Sequence, residues 1–110
     1  HGEFHHDNIL AATRVPYLAI DPKGVAGEPA YEVGPLFYNP QPELYHSPNL
    51  AQTLGRRLAI LTEHLQIDRE RLRAAAFAHC ILSAAWSVEE DGYDDGWQNT
   101  IRVAETLLQL

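Results

Sequence analysis

The spacing of apolar residues changes about halfway along the chain. From residue 50 onward, Leu50, Leu54, Leu58, Leu61 and Leu65 recur at steps of four and three, which lines one face of an α-helix. This stripe predicts a helix with Pro48 at its start. Asp68 is a suitable N-cap for a second helix, whose body runs from about Arg69 to Val88. Leu72, Ala75, Ala76, His79, Leu82 and Trp86 share one face of it. Phe77, Cys80, Ile81, Ala84 and Val88 widen that face, so the pattern predicts a helix buried on most sides, with His79 and Trp86 in the core. Residues 89–96 interrupt the rhythm with acids and glycines. Trp97, Ile101, Ala104 and Leu108 then predict a last amphipathic helix, with Trp97 also in the core.

The first half has a shorter rhythm. Two apolar runs, residues 8–12 and 17–21, flank Thr13-Arg14-Val15-Pro16 and read as a β-hairpin. A lone hairpin is marginal in water, so it must lie on something. Residues 22–29 hold two glycines and two prolines and read as a loop, with Pro29 suited to the first position of a short helix over about 30–37. Three prolines in residues 39–48 start another loop. The expected architecture is mainly α, of the α+β class: one unit with a short β-hairpin followed by about four helices. Its parts are a polar loop at 1–8, the hairpin at 8–21, a second loop at 22–29 and a helical platform over 30–110.

Composition narrows the classes. The 110 residues are 45% hydrophobic and 21% charged, as in a globular domain. A net charge of −7 argues against nucleic acid or an anionic membrane and suits a cationic partner. The single cysteine, Cys80, excludes an internal disulfide and falls in an Ala-rich apolar stretch, as a buried structural thiol does. It fits a reducing, cytoplasmic compartment. No apolar run approaches the roughly 20 residues that cross a bilayer.

The candidate chemistry gathers at the start. Glu3 offers a carboxylate and Asn8 a carboxamide five positions later; Asp21 follows at the end of the second apolar run. Phosphoryl transfer by kinases uses such a set, with one carboxylate near the acceptor hydroxyl and an amide plus a second carboxylate on Mg²⁺. His1, His5, His6 and Asp7 could instead bind Zn²⁺, although their spacing matches no common site. Lys23 could approach a phosphate or an acceptor, or be a solvated loop lysine. Glu89, Glu90, Asp91, Asp94 and Asp95 are five acids within seven residues. They read as a solvated interhelical segment or as a receptor for a polycation.

These motifs carry a family resemblance. His-Gly-Glu-Phe-His-His-Asp-Asn-Ile-Leu, residues 1–10, resembles the His-Gly-Asp-x-His-x-x-Asn loop of aminoglycoside phosphotransferases. Leu18-Ala19-Ile20-Asp21-Pro22-Lys23-Gly24, with Gly27-Glu28-Pro29-Ala30-Tyr31-Glu32, resembles the aminoglycoside/hydroxyurea resistance kinases, as does Leu82-Ser83-Ala84-Ala85-Trp86. The likeness maps onto the C-terminal lobe of a protein-kinase-like fold. It implies ATP and Mg²⁺ as cofactors, Glu3 at the catalytic base position, and Asn8 and Asp21 on the metal. It also implies a cationic aminoglycoside as substrate, with the acids at 89–95 as candidate contacts, and a separate N-terminal lobe as partner.

Glu3 departs from the Asp of that loop. The extra methylene moves the carboxylate by on the order of 1.5 Å, and an error of about 1 Å can cost roughly a hundredfold in rate. The 110 residues also contain no glycine-rich phosphate loop. The expectation is an isolated chain that is inactive, or a non-catalytic remnant, with apolar surface that promotes homo-oligomers.

Overall fold

The computed structural model describes residues 1–91 and 96–110. Strands β1 (Ile9–Ala11) and β2 (Tyr17–Ala19) form an antiparallel hairpin, with Leu10 opposite Leu18. Five helices follow: α1 (Pro29–Glu32), α2 (Pro35–Tyr38), α3 (Leu50–Leu65), α4 (Arg69–Asp91) and α5 (Gly96–Leu108). One-turn 3₁₀ segments lie at His6–Asn8 and Glu43–His46. Helix-rich α+β architecture is therefore as expected.

The helical half builds the core. Leu54 and Leu58, the middle of the predicted stripe, are fully buried with Phe37, Leu72, Val103 and Leu107. Each such side chain stabilises the fold by about 1.5–3 kcal/mol relative to exposure. The ends of α3 are specified locally. The helix stops where Gln66 turns left-handed at φ 55°, its amide donating to the Thr62 carbonyl at 3.1 Å. The Asp68 carboxylate accepts from the Arg71 amide at 2.9 Å and so caps α4 as predicted. Cys80 is fully buried, and that burial pushes its thiol up to about 12, so it is no nucleophile.

Three expectations are corrected. The helix predicted over 30–37 is two short pieces, α1 and α2. Pro35 has no N–H to continue the ladder, and Gly34 is the only residue type that fits between them. A Cβ at Gly34 would lie 2.2 Å from the His79 ring. Next, α4 is not buried on most sides. His79 is in the core, but Ile81 is exposed and Trp86 is 52% exposed. The elements α1, α2, α3 and α5 all pack against α4, yet they leave its outer flank uncovered. Finally, the buried face of α5 is Thr100, Val103, Ala104 and Leu107, whereas Leu108 is exposed. Thr100 can lie on that face because its hydroxyl is satisfied by a buried 3.1 Å hydrogen bond with the Tyr45 hydroxyl.

Polar side chains tie neighbouring elements together. The Arg57 guanidinium donates to the Asn39 carbonyl at 2.6 Å and to that of Leu36, tying the end of α2 to α3. Arg73 on α4 donates to the Leu107 carbonyl at 3.2 Å, answering the unpaired carbonyls at the end of α5. Among the described residues, no helix is long and apolar enough to cross a membrane.

Candidate active site

The hairpin closes one end of the molecule on itself. Its two strands are joined by the short turn through Pro16, and its ladder extends one step to an Ile20 amide that donates to the Asn8 carbonyl at 2.9 Å. Residues 8 and 21, thirteen apart in sequence, therefore come from adjacent strand ends. Asn8 is buried, and its Nδ2 donates to the Glu3 carbonyl at 2.9 Å. This bond folds the loop back across its five-residue span and leaves the Asn8 Oδ1 as the atom able to meet a cation. Asp21 sits at φ 57°, a left-handed conformation that Asp tolerates better than most residues.

Lys23 completes the cluster. Its ammonium is 3.4 Å from Glu3 Oε2 and 3.4 Å from Asp21 Oδ2. The Asp21 carboxylate first, and the Glu3 carboxylate second, hold the Lys23 ammonium above its ordinary range. All three side chains are about half exposed or more, so the ion pairs are solvent-screened. Lys23 thus links the Glu3 and Asp21 carboxylates, and Asn8 is tied to the same loop through the Glu3 carbonyl.

The loop is held from behind by a residue that the sequence reading passed over. The Glu32 carboxylate, at the end of α1, accepts from the Gly2 amide at 3.2 Å. Gly2 is at φ 87°, and a Cβ there would approach the Lys23 Cβ at 3.1 Å and the Val25 Cγ2 at 3.0 Å. Only glycine combines that conformation with that approach. His1 braces the other side. Its Nε2 hydrogen-bonds the Ile20 carbonyl at 2.7 Å, its Nδ1 accepts from the Glu3 amide at 3.2 Å, and its carbonyl accepts from the Lys23 amide at 2.6 Å. The signal for Glu32 was present in the Gly27–Glu32 motif, but a contact 30 residues away cannot be read from spacing.

The candidate Zn²⁺ ligands are not gathered into one site here. Both His1 ring nitrogens are engaged in the loop, and His5 Nδ1 is 3.9 Å from Asp7 Oδ2. Among the described residues, no three His, Cys, Asp or Glu side chains are grouped to hold a metal ion. A hard, oxygen-seeking cation such as Mg²⁺ is a different case. It binds through one or two carboxylates and takes its other oxygens from water and phosphate. The Asp21 carboxylate and the Asn8 carboxamide have the chemistry it needs.

Beside the cluster opens a largely apolar cavity of about 1130 Å³, lined by Glu3, Lys23, Tyr31, Tyr38, His79 and Trp86 among others. The Tyr31 and His79 rings stack at 3.9 Å between centroids. Burial lowers the His79 pKa, partly opposed by Glu32, and pushes the Tyr38 hydroxyl up to about 12. Trp86 is thus a cavity wall and not a core residue; Trp97 is half-buried. Glu89 and Glu90 are exposed in the turn of α4 that follows Trp86. Asp91 ends α4, and its side chain, with Asp94 and Asp95, lies outside the described residues. The acids at 89 and 90 thus follow the cavity-lining Trp86 by one helical turn but do not themselves line the cavity.

Comparison with known proteins points the same way. The chain is 33% identical over 107 residues to the streptomycin 6-kinase of Streptomyces griseus, covering 97% of this chain and 34% of that protein. It is 37% identical over 108 residues to the hydroxyurea phosphotransferase of Kitasatospora aureofaciens, covering 98% and 29% respectively. It is also 37% identical over 91 residues to the streptomycin 3''-kinase of Klebsiella pneumoniae, covering 80% and 34%. The chain spans about a third of the length of these relatives. No solved structure matches it. The family described as aminoglycoside/hydroxyurea antibiotic resistance kinase matches residues 1–92, a range that holds the Gly2 loop, the hairpin, the Glu32 clamp and all of α4. With the loop, its hairpin and its clamp inside that match, this chain belongs to the aminoglycoside/hydroxyurea antibiotic resistance kinase family.

Proposed function

We propose that this chain is the acceptor-side lobe of an ATP-dependent phosphotransferase that phosphorylates a hydroxyl of a cationic, streptomycin-like aminoglycoside. The observation that supports the reading is that Asn8 holds the Glu3 carbonyl at the start of the hairpin while Lys23 bridges the Glu3 and Asp21 carboxylates at its end. Glu3 orients the acceptor hydroxyl and takes up its proton. Asn8 and Asp21 are the residues that would hold Mg²⁺. That ion, when bound, neutralises charge on the ATP phosphates during transfer. The work left to the chain is positioning and electrostatics: the Glu32 and His1 contacts fix the loop, and the cavity beside it takes the acceptor.

The acids support the substrate class. Glu89 and Glu90 follow the cavity wall formed by Trp86, where carboxylates can pair with guanidinium groups in a bidentate way. The net charge of −7 favours approach of a polycation.

A second reading is a non-catalytic, pseudokinase-like module. One observation favours it: the base position carries Glu, and that carboxylate is engaged by Lys23 at 3.4 Å. A chimaera separates the two. In it, this chain replaces the matching third of the Streptomyces griseus streptomycin 6-kinase, and transfer of radiolabelled phosphate from ATP to streptomycin is measured. Transfer that rises with Glu3→Asp supports the enzyme reading. A folded, ATP-binding chimaera that transfers no phosphate with either residue at position 3 overturns it and leaves the binding module.

A further inference from the structure

Lys23 is too well held to be an incidental surface lysine. Its amide is tied to the His1 carbonyl at 2.6 Å, and its Cβ packs over Gly2, where no side chain could intrude. Those two contacts aim the side chain back over the loop. Its ammonium then ends 3.4 Å from one oxygen of Glu3 and 3.4 Å from one oxygen of Asp21. Two carboxylates that share a cation would otherwise repel one another. The ammonium supplies that shared charge from within the chain.

We infer that the Lys23 ammonium and a divalent cation are rival occupants of the Asp21 carboxylate. The inference rests on the reading of Asp21 as a cation ligand. An ion that takes the Asp21 oxygens must displace the ammonium from them, and it also meets a like charge as it approaches. Glu3 keeps hold of the displaced lysine, so the side chain stays beside the site and does not swing into solvent. Lys23 therefore sets how weakly the site takes a free ion. It also gives the site a cationic donor that is released only when the ion is in place, within reach of the anionic groups that accompany it. The phosphate-contact reading of Lys23 and the solvated-lysine reading are then two positions of one side chain, separated by the state of Asp21.

The test is a titration of the 110-residue chain with Mn²⁺, followed by isothermal calorimetry and by the loss of the free-ion electron-spin-resonance signal. Four forms are compared: wild type, Lys23→Met, Lys23→Arg and Asp21→Asn. Met keeps the stem that packs on Gly2 and removes only the charge. Loss of two exposed ion pairs and of one repelling charge should tighten Mn²⁺ binding by about three- to tenfold in Lys23→Met. Lys23→Arg should stay near wild type, and Asp21→Asn should bind no Mn²⁺ at the site. Equal affinity in wild type and Lys23→Met, with binding still lost in Asp21→Asn, overturns the rivalry while leaving the metal reading intact. If no form binds Mn²⁺, the reading of Asp21 as a cation ligand fails, and the inference fails with it.

Discussion

The two ends of this molecule are held together by different physics. The helical body from α3 to α5 is closed by apolar side chains with no solvent exposure, among them Leu54, Leu58, Leu72 and Leu107. The loop-and-hairpin end has almost none. All three residues of β2 are exposed, and Leu10, Tyr17, Leu18 and Val25 stand open to solvent. What fixes that end is a set of polar contacts to Glu32 and His1, around a glycine that cannot be replaced without strain. The body supplies free energy and the loop supplies geometry. Residues placed by hydrogen bonds can be reset by a ligand, whereas residues placed by packing cannot move without opening the core.

The largest expected effect lies in the body. Leu58→Ala should cost about 2–5 kcal/mol, because a fully buried leucine leaves a cavity. Leu18→Ser, on the open strand, should stay within about 0.5 kcal/mol when both variants are unfolded in urea. The serine should, however, reduce the self-association that an exposed apolar hairpin promotes, as seen by light scattering at high concentration. If Leu18→Ser proves as costly as Leu58→Ala, the hairpin is part of the core and the contrast collapses.

A middle-sized effect is expected at the clamp. Glu32→Ala should cost about 1 kcal/mol, since it removes the partly exposed carboxylate that accepts from the Gly2 amide. Amide exchange of Gly2 and Lys23 should quicken while the amides of α3, α4 and α5 keep their protection. Uniform loss of protection along the chain would instead make the loop and the body one cooperative unit.

The smallest expected effect is on pH dependence. Burial holds His79 below its ordinary value of 6.5 and so keeps the ring neutral in the fold; Glu32 partly opposes this shift. On acidification below about 6.5 the unfolded chain takes up a proton that the folded chain refuses, so stability present above that pH is lost beneath it. His6 is shifted the same way by burial and by Arg57 and adds to the loss. Melting temperatures measured at about pH 7 and about pH 5.5 should differ less for His79→Gln than for wild type. An identical difference would remove His79 as the sensitive group.

Much of the body was legible because helical burial is periodic. The Leu54–Leu58 stripe, the Asp68 cap and the buried Cys80 all follow from local spacing. The hairpin was legible from two apolar runs about a proline turn. Trp86 differs from expectation because a large apolar residue on a helical face reads as core whether or not anything covers it. The split between α1 and α2 was written in Gly34-Pro35, but the reason for Gly34 is the His79 ring, 45 residues away. At the site, the Glu3–Asn8 spacing carried the loop, whereas the Glu32 clamp and the shared Lys23 depend on contacts that sequence distance hides.

The backbone at Asp21 has a consequence for how this chain can change. A non-glycine residue at φ 57° costs of order 1–3 kcal/mol, somewhat less for Asp, and glycine would relieve most of that cost. A search for more stable variants would therefore favour glycine at position 21 and in doing so delete the carboxylate proposed above as a cation ligand. Stability and chemistry pull in opposite directions at this one residue, so a survey of tolerated substitutions scored by folding and again by cation binding would reverse its ranking there.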